Sequence, residues 1–280
     1  MADDKLVWLI TGASSGLGRA IAEAVLEAGH TAVVTARNPD TVNDLVTRFP
    51  ERAVAKELDV TDRLTISKVV TETEERFGRI DALVNAAGYG YLAAIEEGED
   101  EGVRAPFETN VFGLLDVVKA VLPGMRSRRS GWIINLSSLG GLVAFAATGY
   151  YHATKFALEA LSESLSYEVA PLGIKVLIVE PGAFRTDWAG RSMRESATVI
   201  DDYADSAGKR RLAPRAGSGS QPGDPNRAAQ AILKAMESND PPLRLLLGAS
   251  ALTVAMTRLE SLKSNFESWS VLTNGVDFNS

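Results

Sequence analysis

Residues 5–29 read KLVWLITGASSGLGRAIAEAVLEAG, an apolar run, then a glycine-rich turn, then at once a helical pattern that stops at Gly29. Gly12, Gly16 and Gly18 stand in the spacing G-x-x-x-G-x-G. Glycine is needed in such a turn because a Cβ would obstruct the tight reversal, the approach of the backbone to a pyrophosphate, and the packing of the helix on the sheet. The helix N-terminus behind the turn offers free N–H groups and positive potential to phosphate oxygens. A glycine triplet alone is a weak signal. A strand before it and a helix after it turn it into a dinucleotide-binding signature.

Working outward, short β-rich runs alternate with longer helical patterns. After the first unit come TAVVTA (31–36), TVNDLVTRF (41–49), AVAKELD (53–59), RLTISKVVTETEERFG (63–78), DALVNAAG (81–88) and PFETNVFGLLDVVKAVLPGM (106–125). GWIINLSS (131–138), YHATKFALEALSESLSYEVA (151–170) and KVLIVEPG (175–182) continue the series. The strand candidates are nearly continuous apolar runs, as expected when helices cover both sheet faces. Strand, helix, strand repeated in this way demands right-handed βαβ units. The predicted fold is therefore α/β, a single Rossmann-type doubly wound parallel sheet with helices on both faces.

No repeat or linker divides the chain, so one catalytic domain is predicted over residues 1–280. From 186 to 226 the texture changes to Gly, Pro, Ser and Arg with weak periodicity, including GKRRLAPRAGSGSQPGDP. A stretch that long reads as a mobile lid over a ligand, or else as a disordered surface insertion. Order returns with DPNRAAQAILKAME, a capped helix, and LRLLLG, a last strand.

The 280 residues are 45% hydrophobic and 23% charged, the balance of a globular chain with one large core. A net charge of −7 without basic runs among aromatics argues against a nucleic-acid partner. There is no cysteine, which excludes disulfides, thiolate metal sites and a cysteine nucleophile. The two histidines, His30 and His152, lie far apart and outside any ligand-type spacing, so no metal is expected. No run approaches the ~20 apolar residues that span a bilayer. MADDKLVWLI has acids where a secretory signal carries positive charge, and a cytoplasmic location is the expectation.

The end of the second strand selects the dinucleotide, because an acid there binds a ribose 2′-hydroxyl and a basic residue accommodates a 2′-phosphate. TAVVTARNPD has no acid at that point but has Arg37, whose guanidinium suits a phosphate, with Ser14 or Asn38 able to add hydrogen bonds. NADP(H) is predicted. The competing reading is an arginine that faces solvent.

GYYHATKF (149–156) places two tyrosines before a lysine. Tyr151 and Lys155 are four apart on a helical pattern and share a face, whereas the residue four after Tyr150 is Thr154, which carries no charge. An ammonium near a phenol favours the phenolate and lowers its pKa, the tuning that proton exchange with an alcohol requires. Ser138 ends the preceding strand, at the carboxyl edge where ligands of such folds bind, while Ser137 points to the other face.

Together these motifs resemble the short-chain dehydrogenase/reductase family, in its branch of ordinary length, over residues 5 to 188. TGASSGLG is similar to the family's cofactor loop, which implies Gly12, Ser14, Ser15, Gly16, Leu17 and Gly18 against the cofactor. LDVTD implies Asp59 and Val60 beside the adenine, and NAAG implies Asn85, Ala86 and Gly88 along the cofactor. PGAFRT implies Pro181, Gly182, Phe184 and Thr186 around the nicotinamide carboxamide. The resemblance implies Ser138, Tyr151, Lys155 and Asn110 as the catalytic set. In it Tyr151 exchanges the proton, Ser138 polarises the carbonyl, Lys155 also holds the nicotinamide ribose, and Asn110 orders a relay water; Asn110 read singly is a structural amide.

The implied activity is hydride transfer between a nicotinamide cofactor and a ketone or secondary alcohol. Tyr89, Tyr91, Leu139, Phe145, Phe184, Trp188 and Met193 flank the motifs and predict an apolar pocket, most like that of family members acting on steroids or retinoids, although aromatics pack cores as readily. Arg185, Arg191 and Arg194 could bind an anion or be solvated. The acidic run EEGEDEG (96–102) lacks calcium-loop spacing and reads as a solvated segment. The alternatives are a non-catalytic dinucleotide sensor on the same fold and a sugar-nucleotide epimerase or dehydratase. A homodimer or homotetramer is expected, paired through helices near 105–127 and 150–170 as the resemblance implies.

Overall fold

In the computed structural model, which describes residues 5–190, 192–216 and 219–278, every predicted strand of the large sheet is present. The elements run β1 (Val7–Thr11), α1 (Gly16–Glu27), β2 (Thr31–Ala36), α2 (Asn43–Arg48), β3 (Ala53–Glu57), α3 (Arg63–Phe77), β4 (Ala82–Asn85) and β5 (Gly90–Leu92). Then come α4 (Asp100–Phe107), α5 (Leu114–Arg128), β6 (Gly131–Leu136), α6 (Gly149–Val169), β7 (Ile174–Pro181) and β8 (Met193–Glu195). The chain continues through α7 (Lys209–Ala216), α8 (Pro225–Met236), β9 (Arg244–Leu247), α9 (Ala249–Ser268) and α10 (Ser270–Asn274).

Seven strands form one parallel sheet in the order β3-β2-β1-β4-β6-β7-β9. Its two faces are covered by separate apolar layers. Trp8 and Ile10 of β1 pack with Ile21 and Val25 of α1 and Ile232 of α8, while Leu9 packs with Val69 of α3, Val117 of α5 and Leu158 of α6. A register slip of one residue would exchange these faces, so the continuous apolar run fixes the pairing from both sides. The order reverses between β1 and β4, the switch point at which open α/β sheets bind ligands.

Helix ends follow their sequence signals. Asp62 caps α3 by accepting from Leu64 N at 2.9 Å, and Asp224 caps α8 by accepting from Asn226 N at 2.8 Å, contacts worth about 1 kcal/mol each. Gly78 closes α3 at φ 75°. The helix predicted over 106–125 is longer, running from α4 into α5 through a π turn at Glu108–Gly113. That turn needs Gly113, since a Cβ there would stand 2.6 Å from the Val60 carbonyl oxygen.

Among the described residues from 186 to 226 the chain forms short regular elements. β8 pairs with β5 in a small parallel sheet, and short helical turns lead into α7. The acidic run that reads as solvated is what holds this region. Glu97 is buried; it pairs with buried Arg211 and accepts from Ala94 N at 2.8 Å and Ile200 N at 2.9 Å. Glu99 accepts from the Tyr91 hydroxyl at 2.6 Å, Ala197 N at 2.9 Å and Ser196 Oγ at 3.0 Å, and the Tyr91 and Ser196 hydrogen bonds hold its carboxyl at about 2. Glu96 accepts from the Tyr203 hydroxyl at 2.6 Å. The partners lie about a hundred positions downstream, which is why the run alone looks free. Arg211→Met leaves Glu97 buried without its cation and should lower the unfolding free energy by about 3 kcal/mol, measured by urea denaturation.

Candidate active site

At the switch point the turn after β1 meets the turn after β4. Gly12 has φ 65°, and a Cβ there would lie 2.7 Å from Ala87 N; a Cβ on Gly18 would lie 2.5 Å from Gly12 O. Gly16, at φ 59°, faces the Thr186 side chain. Ala86 N and Ala87 N both donate to Thr11 Oγ1, at 3.1 and 3.2 Å, fastening the second turn to the first. Ser15 stands at the N-cap of α1 but makes no side-chain capping bond, and the first turn holds no acid. With Ser14 exposed beside it, this helix leaves its N-terminal N–H groups to a ligand, unlike α3 and α8. Leu17 packs into the layer under α1. Both the narrow glycine cradle and the open helix end fit a pyrophosphate.

Arg37 lies exposed just past β2 and makes no ion pair among the described residues. Asp59 closes the turn after β3 by accepting from Thr61 N at 2.9 Å and Thr61 Oγ1 at 2.7 Å, with Val60 buried beside it. Asn85 donates to Asn135 Oδ1 at 2.9 Å, and Asn135 donates to Ser162 Oγ at 2.9 Å, so the Asn85 amide nitrogen braces β4, β6 and α6. A Cβ on Gly88 would come within 3.0 Å of Asn110 Oδ1 and 4.0 Å of Lys155 Nζ, so these three residues form one corner. Pro181 ends β7, and Gly182 N donates to Leu247 O at 2.9 Å. Phe184 packs on Gly223, away from the glycine turns, and Thr186 Oγ1 accepts from Trp188 N at 3.3 Å.

The two tyrosines divide their work. Tyr150 donates its hydroxyl to Ile95 O at 2.5 Å and lays its ring against Gly98, a structural contact. Tyr151 is buried, with the Ser138 hydroxyl near enough to its phenol to act on its titration. Ser138 Oγ accepts from Gly140 N at 3.0 Å, which leaves its own proton free to donate. Lys155 Nζ lies 5.8 Å from the Tyr151 ring centre and donates to Leu136 O at 2.7 Å. Burial dominates both titrations: it pushes Tyr151 up to about 12 against the lowering effect of the nearby Ser138 hydroxyl, and brings Lys155 down to about 8. The lowered phenol expected from the Tyr-x-x-x-Lys spacing is thus outweighed here by desolvation.

Asn110, on the π turn, accepts from Tyr89 N at 3.1 Å and donates to Tyr89 O at 2.9 Å and Thr154 Oγ1 at 3.1 Å. Trp188 stacks 5.2 Å from Tyr151, with Met193 next to it. Arg210 lies over Phe145 at 4.7 Å and Arg194 over Tyr89 at 4.5 Å. Tyr91 is a correction to the wall set, since it is buried and bonded to Glu99 instead. Arg185 donates to Gln221 O, and Arg191 falls outside the described residues.

Two features were not legible in the sequence. His152 is buried, accepts from Phe145 N at 3.1 Å, and is pushed down to about 4 by burial, so it stays neutral; a Cβ on Gly140 would touch its ring and come within 3.4 Å of Ser138 Oγ. Its place directly after Tyr151 was the one signal available. The second is a buried carboxyl pair behind Lys155. Arg244 of β9 lies 3.1 Å from Glu159 Oε2 and 3.5 Å from Glu180 Oε1, and 2.9 Å from Glu163. Burial and the neighbouring Glu159 push Glu180 up to about 8. The folded protein then keeps a proton on Glu180 that the unfolded chain releases from about pH 4.5, so stability falls as pH rises from 4.5 to 8. Glu180→Gln should flatten this dependence in urea titrations run at pH 5 and pH 8.

A family model described as short chain dehydrogenase matches residues 6–197. Oxidoreductase BOA17 of Botryotinia fuckeliana is 41% identical over 264 residues, 94% of this chain and 96% of its own length. A 3-ketodihydrosphingosine reductase of Bacteroides thetaiotaomicron is 38% identical over 86% of this chain and 87% of its own. A crystal structure of a short-chain dehydrogenase from Streptomyces avermitilis superposes with a TM-score of 0.93 at 46% identity, covering 99% of this chain and 100% of that one. The chain belongs to the short-chain dehydrogenase family and is an oxidoreductase on a nucleotide-binding Rossmann fold. More distant structures of the same fold come from Burkholderia phymatum with NAD (22% identity, TM-score 0.83, 95% of this chain and 96% of that one) and from Burkholderia cenocepacia with NADP (25%, 0.74, 96% and 98%).

Proposed function

We propose that the protein is an NADP(H)-dependent reductase or dehydrogenase of lipophilic ketones and secondary alcohols, with Tyr151 as the acid and base. The observation that carries this reading is the buried Tyr151 near Ser138 with the Lys155 amine 5.8 Å from its ring centre, at the carboxyl edge of the sheet. A dinucleotide sensor would need no such trio.

The glycine cradle and the open end of α1 would hold the pyrophosphate, Arg37 and Ser14 the 2′-phosphate, Asp59 and Val60 the adenine, and the Pro181–Thr186 backbone the nicotinamide end. When bound, the cofactor supplies or receives the hydride. Ser138 would hold the substrate oxygen next to the phenol. A phenol raised to about 12 stays protonated at neutral pH, as a proton donor for reduction must be. The charge left on Tyr151 after donation faces the Lys155 ammonium. Asn110 positions the Gly88–Lys155 corner through Tyr89 and Thr154, where the implied relay water would sit. Phe145, Trp188, Met193 and Leu139 supply apolar walls, and a relative named for a long-chain keto substrate supports a lipophilic carbonyl.

Tyr151→Phe should slow NADPH oxidation with lipophilic ketones by about 10²–10⁴-fold while leaving NADPH binding intact, as read by fluorescence titration. Tyr150→Phe should keep turnover. Equal rates in wild type and Tyr151→Phe would sink the assignment. Because Lys155 carries its charge below about 8 and loses it above, kcat/KM for reduction should fall as pH rises through about 8, and Lys155→Arg should move that limb upward. Arg37→Asp should shift preference from NADPH toward NADH; an unchanged ratio of the two kcat/KM values refutes the 2′-phosphate role.

A further inference from the structure

α9 is seated on the body only by its first turns, where Ala251 and Ala255 are buried and Ala251 packs against Gly182. From Met256 to Ser268 every side chain is exposed or half-exposed, over roughly 20 Å of helix at 1.5 Å per residue. A helical segment of that length without packing is marginal in water. This one also carries Leu252, Met256, Leu259, Phe266 and Trp269, each at least half exposed, with half-buried Leu262 between them. Leu252, Leu259 and Phe266 recur every seven residues, with Ala255, Leu262 and Trp269 three after each, the spacing of a helix-pairing seam.

We propose that α9 pairs antiparallel with α9 of a second copy of this chain, along a two-fold axis near residues 260 and 261. In that register Leu252 faces Trp269 of the other copy and Leu259 faces Leu262, while Phe266 packs on Met256, beside the Ala255 that its own body already covers. The exposed layers are then filled from both sides by one self-complementary surface. Charge selects the direction. A parallel in-register pair would set Arg258 against Lys263 of the other copy, whereas the antiparallel pair sets Lys263 near Glu260, twice by symmetry. Among the described residues Lys263 otherwise has a loose surface contact with Glu267, at 3.9 Å. A lipid surface is disfavoured as the occupant, because Arg258, Glu260, Lys263 and Glu267 balance to no basic face and the whole chain is at −7. This surface is separate from the α5 and α6 helices that the family resemblance pairs.

The absence of cysteine makes a clean test possible. Leu252→Cys and Trp269→Cys are prepared singly and, with tags of different mass, as a co-expressed pair in the full chain, then oxidised mildly. The expected result is a cross-link in the mixed sample alone. Cross-linking of either variant by itself means a parallel pair and overturns the proposal, as does no cross-link at all. Independently, Leu259→Glu with Phe266→Glu should lower the sedimenting mass by one assembly step, tetramer to dimer or dimer to monomer, with unchanged circular dichroism and NADPH binding. An unchanged mass, or loss of co-sedimentation with phosphatidylserine vesicles as the only effect, would refute self-pairing.

Discussion

The closeness of Gly12 to the Ala87 main chain is the constraint on which the rest depends. The turns that follow the paired strands β1 and β4 are pressed together until no Cβ fits between them, and Thr11 ties both through one hydroxyl. That contact sets the floor of the groove, aims the uncapped end of α1 into it, and puts Gly88 against Asn110 and Lys155. The apolar layers on the two faces then hold the strands so that the groove cannot close by sliding.

The sheet was legible because parallel strands covered on both faces leave continuous apolar runs, and glycines and aspartates mark the helix ends. A helical period alone separates Tyr151 from Tyr150, and in the structure the Tyr150 hydroxyl is spent on Ile95 O. Interactions spanning a hundred residues left no local trace. Glu97 and Glu99 looked like part of a charged surface because Ile200, Ser196 and Arg211 arrive from a segment with no periodicity of its own. β5 and β8, at three residues each, are too short to alternate visibly. Tyr91 shows the same limit, since an aromatic next to a cofactor motif can turn inward as easily as toward the substrate.

Spacing also gave the identity of the titrating groups but not the balance of forces on them. Proximity of charge and depth of burial push a phenol in opposite directions, and only coordinates reveal which is larger. For Tyr151 burial prevails, so the free enzyme rests with neutral phenol and a lysine close to giving up its charge.

The carboxyl pair of Glu159 and Glu180 gives the order of synthesis a structural meaning. The guanidinium that lies between the Glu159 carboxylate and the protonated Glu180 belongs to Arg244, in the final strand of the sheet. A nascent chain that has emerged only as far as α8 holds two facing acids with no cation between them, directly beneath the turn that carries Lys155. A chain that stops between β7 and β9 therefore has six of the seven strands and no cation for Glu159, one turn along α6 from Lys155.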